Sequence, residues 1–127
     1  MKARTSGKSG DWKLFNAEAN YAESIFQTSL GNYPAAVSAL RRALEAKPGY
    51  APAIFSLGTV EYQRGKRAEG RKLFQSLLSL PEDTTDLCEI IDHAGDFLIQ
   101  RDAYKDGLEH FRGAAARFPN VAVFHQG

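Results

Sequence analysis

Apolar residues recur at intervals of three and four along most of this chain, the period of helices buried on one face. The first stripe is Trp12, Phe15, Ala19, Ala22 and Phe26. It predicts a helix opened by Asp11 as N-cap, closed at Gly31, and buried along that stripe. Asn32 then caps a second helix, with Pro34 in its first turn and Ala36, Val37, Leu40, Ala43 and Leu44 as its apolar positions. Pro48 and Gly49 follow its end near Ala46. A third helix starts near Ala51, carries Ile54, Leu57, Gly58 and Tyr62, and breaks at Gly65. The fourth runs from about Arg67 to Leu80 through Gly70, Leu73, Phe74 and Leu77, and Pro81 stops it. Thr85 or Asp86 caps the fifth, where Asp86 and Glu89 have the spacing of a capping box. Its stripe is Leu87, Ile90, Ile91, Ala94, Leu98 and Ile99. Asp102 caps a sixth, which carries Tyr104, Gly107, Leu108, Phe111, Ala114 and Ala115 and ends at Phe118 and Pro119. Asn120 marks the opening of a seventh. No sustained two-residue alternation competes with this pattern, so the expected class is all-α.

The helices pair, and the pairs repeat. Gly31 recurs at Gly65, Leu40 at Phe74 and Ala43 at Leu77, each a step of 34 residues. From the second pair to the third the step is 37, seen in Gly70 to Gly107, Phe74 to Phe111 and Leu77 to Ala114. The extra three residues fit the polar link around Asp83 to Thr85, where an insertion costs little. Small residues stand midway along the first helix of each pair (Ser24, Gly58, Gly95) and early in the second (Ala36, Gly70, Gly107). A large apolar residue follows the latter four positions on: Leu40, Phe74, Phe111. Pro48, Pro81 and Pro119 close the units. In this pattern the chain resembles the tetratricopeptide repeat family over roughly Ala17 to Pro119, with about three repeats and the start of a fourth. Asn20, Ile54 and Ile91 depart from the large residue usual near the start of the first helix, and Arg67 stands where a turn tyrosine is usual.

The resemblance implies an α-solenoid of antiparallel hairpins in a right-handed superhelix. The expected organisation is a flexible basic tail at 1–10, hairpins at about 12–47, 51–80 and 85–118, and a partial fourth helix at 121–127. It also implies a concave groove lined by the first helix of each pair, in which a peptide or helix of a partner is held. Carried over position by position, the groove-lining residues are Tyr21, Ile25 and Thr28, then Phe55, Thr59, Tyr62 and Gln63, then Asp92, Asp96, Ile99 and Gln100. Phe55 and Tyr62 offer rigid amphipathic contact area. Asp92 and Asp96 share a helical face and favour a cationic group. Alternatively, Phe55 and Tyr62 pack between hairpins, and the acidic run from Glu82 to Asp96 is a solvated face. The cationic clamp by which chaperone-binding members hold a C-terminal carboxylate is replaced here by Tyr21, Ile25, Ser56, Glu89 and Asp92.

Composition narrows the function further. The 127 residues suffice for one domain, and a formal net charge of +1 gives no field directed at nucleic acid or a membrane surface. No apolar run approaches the roughly 20 residues that span a bilayer, and no apolar segment follows the basic start, so the expected location is cytoplasmic. The single Cys88 excludes a disulfide framework. No nucleophile–base pair, phosphate-binding loop or metal-ligand spacing is present; His93 lacks a second His or Cys near it. The expected reading is a non-enzymatic interaction module with no cofactor and no metal, binding a protein or peptide with cationic or aromatic groups. The alternatives are a regulatory or recruiting segment of a larger enzyme and a self-associating assembly domain. The basic cluster Arg64, Lys66, Arg67, Arg71 and Lys72 reads as solvated surface on the side away from the groove. Asn120 to His125 looks like the opening of a fourth unit with no polar capping helix, which implies either a longer protein or a homodimer that covers that face by stacking through Val121, Val123 and Phe124.

Overall fold

Residues 9–101 and 104–118 are described by the computed structural model, and they form six helices with no strand among them. These are α1 (Ser9–Ser29), α2 (Tyr33–Ala46), α3 (Ala51–Gln63), α4 (Arg67–Leu77), α5 (Leu87–Gln100) and α6 (Tyr104–Arg117). Residues 1–8, Asp102 as a cap, and the segment from Pro119 through Val121, Val123 and Phe124 lie outside the described residues. None of the described helices is long and apolar enough to cross a membrane. The chain divides into two compact units, Met1–Ala53 and Ile54–Gly127, so the boundary falls inside α3.

The turns after α1 and α3 share one geometry. Gly31 has φ of 76° and Gly65 φ of 92°, the left-handed region that a side chain resists. Gly31 N–H donates to the Thr28 carbonyl and Asn32 N–H to that of Gln27, both at 2.9 Å. Gly65 and Lys66 repeat the pair on Tyr62 and Glu61 at 3.1 and 2.8 Å. This is the Schellman closure, which satisfies carbonyls stranded at a helix end. The caps differ from expectation. Asn32 and Asp86 occupy N-cap positions but make no side-chain cap bond, and Asp86 is left-handed at φ of 58°. Asp11 lies inside α1, which begins three residues before Trp12, and α4 ends at Leu77 with turns through Leu80.

In the first unit α1 packs along α2. The contact face of α1 is built from small residues: Ala17 and Ser24 are buried, against Ala36, Ala39, Leu40 and Ala43 of α2. Ser24 Oγ donates back to the Tyr21 carbonyl at 2.6 Å, which satisfies the buried hydroxyl. Asn20 accepts a bond from Arg42 Nε at 3.0 Å, so the polar substitute for a large residue bridges the two helices. The expected buried stripe is overturned. Trp12, Phe15 and Phe26 are 62%, 58% and 57% exposed, and Ala19 and Ala22 are exposed beside them. These residues do share a face, but not the face that meets α2.

The second unit is organised around Phe74. Its ring lies 6.2 Å from Phe55, 5.8 Å from Phe97 and 6.3 Å from His110, centroid to centroid. It is seated on Gly58, where a Cβ would come within 2.5 Å of the ring. Gly70 lies close on the same helix pair: a Cβ there would stand 2.8 Å from the Gly58 carbonyl oxygen. The next pair repeats the arrangement, since a Cβ on Gly95 would collide with the Phe111 ring and one on Gly107 would lie 2.6 Å from Ile99. Arg117 fastens the segment after α4, donating to the Leu78 and Leu80 carbonyls at 3.0 Å each and to Glu82 at 2.8 Å.

His110 is a titratable group in this core. Its Nε2 lies 2.8 Å from the Ile91 carbonyl oxygen, the distance of an N–H donor, while the buried Nδ1 has no partner. That arrangement selects the neutral tautomer with a bare Nδ1. Burial pushes the His110 pKa down, against smaller upward pulls from the Ile91 bond and from Asp92. The folded state therefore binds the imidazole proton less readily than the unfolded chain does. Stability is full above the unfolded value of about 6.5 and declines as pH falls through that value toward the lowered one.

Two predictions follow from this core. Gly70→Ala should destabilise the chain by about 1–3 kcal/mol in urea denaturation, because backbone cannot swing aside as a flexible side chain can. This cost outweighs the helix-propensity gain of about 1 kcal/mol for the same change. The melting temperature should fall between about pH 7 and pH 5, and His110→Gln, which keeps a donor for Ile91, should flatten that dependence.

Candidate functional site

The surface of interest in the second unit lies where α3 and α5 run side by side. Phe55 of α3 is half-buried, and its ring is 6.4 Å from the ring of His93 on α5. Helical spacing sets Asp92 and Asp96 one turn apart, and one ligand atom each from Asp92, His93 and Asp96 lies within 4.8 Å of the others. Asp92 is half-buried and the other two are exposed. Thr59, one turn beyond Phe55, is half-buried and donates its hydroxyl to the Ser56 carbonyl at 2.8 Å. Gln63 is exposed further along α3. An aromatic patch thus adjoins a concentration of negative charge.

The two like charges are held close together. Partial burial raises the Asp92 pKa first, the like charge of Asp96 raises it further, and His93 and His110 oppose both. A cation placed between the two carboxylates would relieve this repulsion. All three polar groups come from one helix, and exposed acidic groups of this kind commonly stand without an ion. The arrangement suits an ammonium or guanidinium group approaching from solvent.

Other expected site residues are placed differently. Tyr62 is only 6% exposed; it packs edge-on against Phe97 at 5.7 Å and its hydroxyl accepts a bond from Arg67 at 3.0 Å. Of the two readings weighed for Tyr62, packing between hairpins is the one its surroundings favour. Arg67, the departure from the usual turn tyrosine, lies over the Tyr62 ring at 5.1 Å. Hydrogen bonding to Tyr62 raises its pKa further. Ile99 is half-buried against the backbone of Gly107. In the first unit, Tyr21 packs edge-on against Tyr50 at 5.9 Å, and Ile25 is exposed. The Tyr50 pKa is raised by burial and then by Glu18 and Tyr21. The basic cluster is largely engaged with carboxylates: Arg64 meets Glu61 at 3.0 Å, Arg71 meets Asp106 at 3.4 Å and Lys72 meets Glu69 at 4.0 Å.

Sequence reasoning did not foresee the bond of Tyr62 to Asp106, 44 residues on, nor those of Arg117 to Leu78, Leu80 and Glu82, 35 to 39 residues back. Polar contacts at such separations leave no periodic trace. The contact of Arg67 with Tyr62, five residues away, also went unforeseen. His93 was legible as a flank of the two aspartates, and its approach to Phe55 required the packed helices.

No protein-family model matches the chain, and no curated protein does. Among solved structures, one titled "Crystal structure of MamA" is similar, with a TM-score of 0.62 and 20% sequence identity. The match covers 85% of this chain and 61% of that one, so the chain spans about 61% of the length of that structure. At this identity the likeness concerns the fold, and with six helices and no strand among the described residues it supports an all-α, tetratricopeptide-like helical repeat.

Proposed function

We propose that the chain is a protein-interaction module and that its second unit holds a basic, aromatic-containing segment of a partner. The observation that carries this reading is the Phe55–His93 approach, which sets an aromatic surface against the Asp92–Asp96 pair. The peptide would lay an apolar side chain on Phe55 and Thr59 and direct an Arg or Lys to the two carboxylates, with Gln63 and Ile99 bordering the contact. Buried aromatic anchors and Arg dominate many binding hot spots, and here the partner would supply the Arg. Tyr21 and Ile25 offer a comparable aromatic–aliphatic surface on the first unit. Tyr62 supports the site from beneath by holding Phe97 and Arg67 in place. The lone thiol Cys88 suits a reducing, cytoplasmic setting.

Fluorescence anisotropy with a panel of labelled peptides checks this reading. Peptides carrying Arg or Lys near Trp or Phe should bind more tightly than acidic peptides of matched length, and the preference should shrink with added salt. The double change Asp92→Lys, Asp96→Lys should weaken the basic peptides by on the order of tenfold or more while leaving helicity intact. Unchanged affinity in that variant, or equal binding of acidic peptides, would count against the site.

A further inference from the structure

The second helices of the last two hairpins, α4 and α6, meet at two places and leave a gap between them. At one end Arg71 reaches the Asp106 carboxylate at 3.4 Å. Seven residues further along each segment, Leu78 meets Gly113, where an added Cβ would come within 2.9 Å of the Leu78 side chain. At about 1.5 Å of rise per residue the gap is about 10 Å long. It holds a cavity of about 370 Å³, partly open to solvent. That size falls within the range of small-molecule sites.

The floor of the cavity is Phe74 and Leu98, both buried, and part of its wall is His110. The imidazole lies 6.3 Å from the Phe74 ring and is inclined to it by 69°. A flat ring can therefore lie against one and meet the edge of the other. In the internal register of 34 and 37 residues, the position of His110 is Ala39 in the first pair and Leu73 in the second. An imidazole at an apolar position of the repeat, only 5% exposed and with Nδ1 unpartnered, breaks the local rule that the other pairs keep. Such breaks concentrate at functional sites. Nε2 is committed to the Ile91 carbonyl at 2.8 Å. The two ring nitrogens point in widely different directions, so Nδ1 is turned away from that contact. Burial lowers the His110 pKa and keeps the ring neutral, which leaves Nδ1 an acceptor in need of a donor.

The charges around the cavity indicate what that donor belongs to. Arg71 is offset by Asp106, and Gln75 and Ser79 are neutral. Among the described residues that line the cavity, exposed Glu109 is left without an opposing charge. An anionic ligand would meet this carboxylate and no unopposed cation. An ammonium, with three donors, can give one N–H to Nδ1 and another to Glu109.

We propose that this cavity binds a small aromatic amine, its ring on Phe74 and Leu98 and its ammonium donating to His110 Nδ1 and to Glu109. The site lies between α4 and α6 and uses neither Phe55, Asp92 nor Asp96, so it does not rest on the peptide-capture reading.

Nuclear magnetic resonance titrations of the full chain, carrying isotope-labelled histidine, test this with tryptamine, skatole and indoleacetate. The three share a ring and differ in charge. Tryptamine should bind saturably and move the Nδ1 resonance of His110. Skatole should bind about tenfold more weakly, and indoleacetate more weakly still. Glu109→Gln, at an exposed position, should weaken tryptamine severalfold and leave skatole unchanged. His110→Leu, which restores the residue type of Leu73, should weaken tryptamine by about tenfold with helicity unchanged by circular dichroism. Should that variant lose helicity, Glu109→Gln carries the test. The double change Asp92→Lys, Asp96→Lys should leave the response of His110 to tryptamine intact, which separates this site from the peptide surface. An Nδ1 resonance that none of the three moves, indoleacetate binding as tightly as tryptamine, or a response that disappears with the double change would overturn the proposal.

Discussion

Phe74 seated on Gly58 is the contact on which the second unit depends. A helix pair can bring a phenyl ring across its axis only where the facing position has no side chain, and Gly58 supplies that opening. The ring then serves as a floor for Phe55, Phe97 and His110 at once. Packing of this density transmits small displacements, because cores are jammed rather than fluid. The same pairing recurs between Gly95 and Phe111, which is why the second unit reads as one device used twice.

Around this floor the charged residues perform structural tasks. Arg67 covers the Tyr62 ring, Arg71 reaches Asp106, and Arg117 draws together the carbonyls of Leu78 and Leu80. Exposed ion pairs contribute little individually. Arg117 differs because its bonds go to backbone carbonyls of the link joining α4 to α5, where a guanidinium can satisfy several acceptors at once. The acidic surface at Asp92 and Asp96 is the exception: partial burial first and the like charge of Asp96 second raise the Asp92 pKa, and its neighbour His93 approaches the Phe55 ring.

The candidate site was partly legible before any coordinates. Asp92 and Asp96 are four apart, so their common face follows from helical geometry, and Phe55 stands on the matching helix of the preceding repeat. The depth of each residue did not follow. Tyr62 occupies the same helix as Phe55 and the same kind of periodic position, yet it is buried because Phe97 of the next hairpin closes over it. Its fate is set by a residue 35 positions away, and no local pattern records that.

Period, punctuation and the placement of small residues determined the helices, their pairing and the repeat. These are local consequences of backbone geometry: Gly31 and Gly65 accept a left-handed turn, and Gly58 and Gly70 permit close approach. The stripe on α1 marks where that reading stops. Periodicity states which residues share a face, and the sequence correctly aligned Trp12, Phe15 and Phe26. Which face meets α2 was decided by tertiary packing, where the small residues Ala17 and Ser24 let the two helices lie close. Hydrophobic spacing is a property of one helix; burial belongs to whatever lies against it, and only the folded chain specifies that.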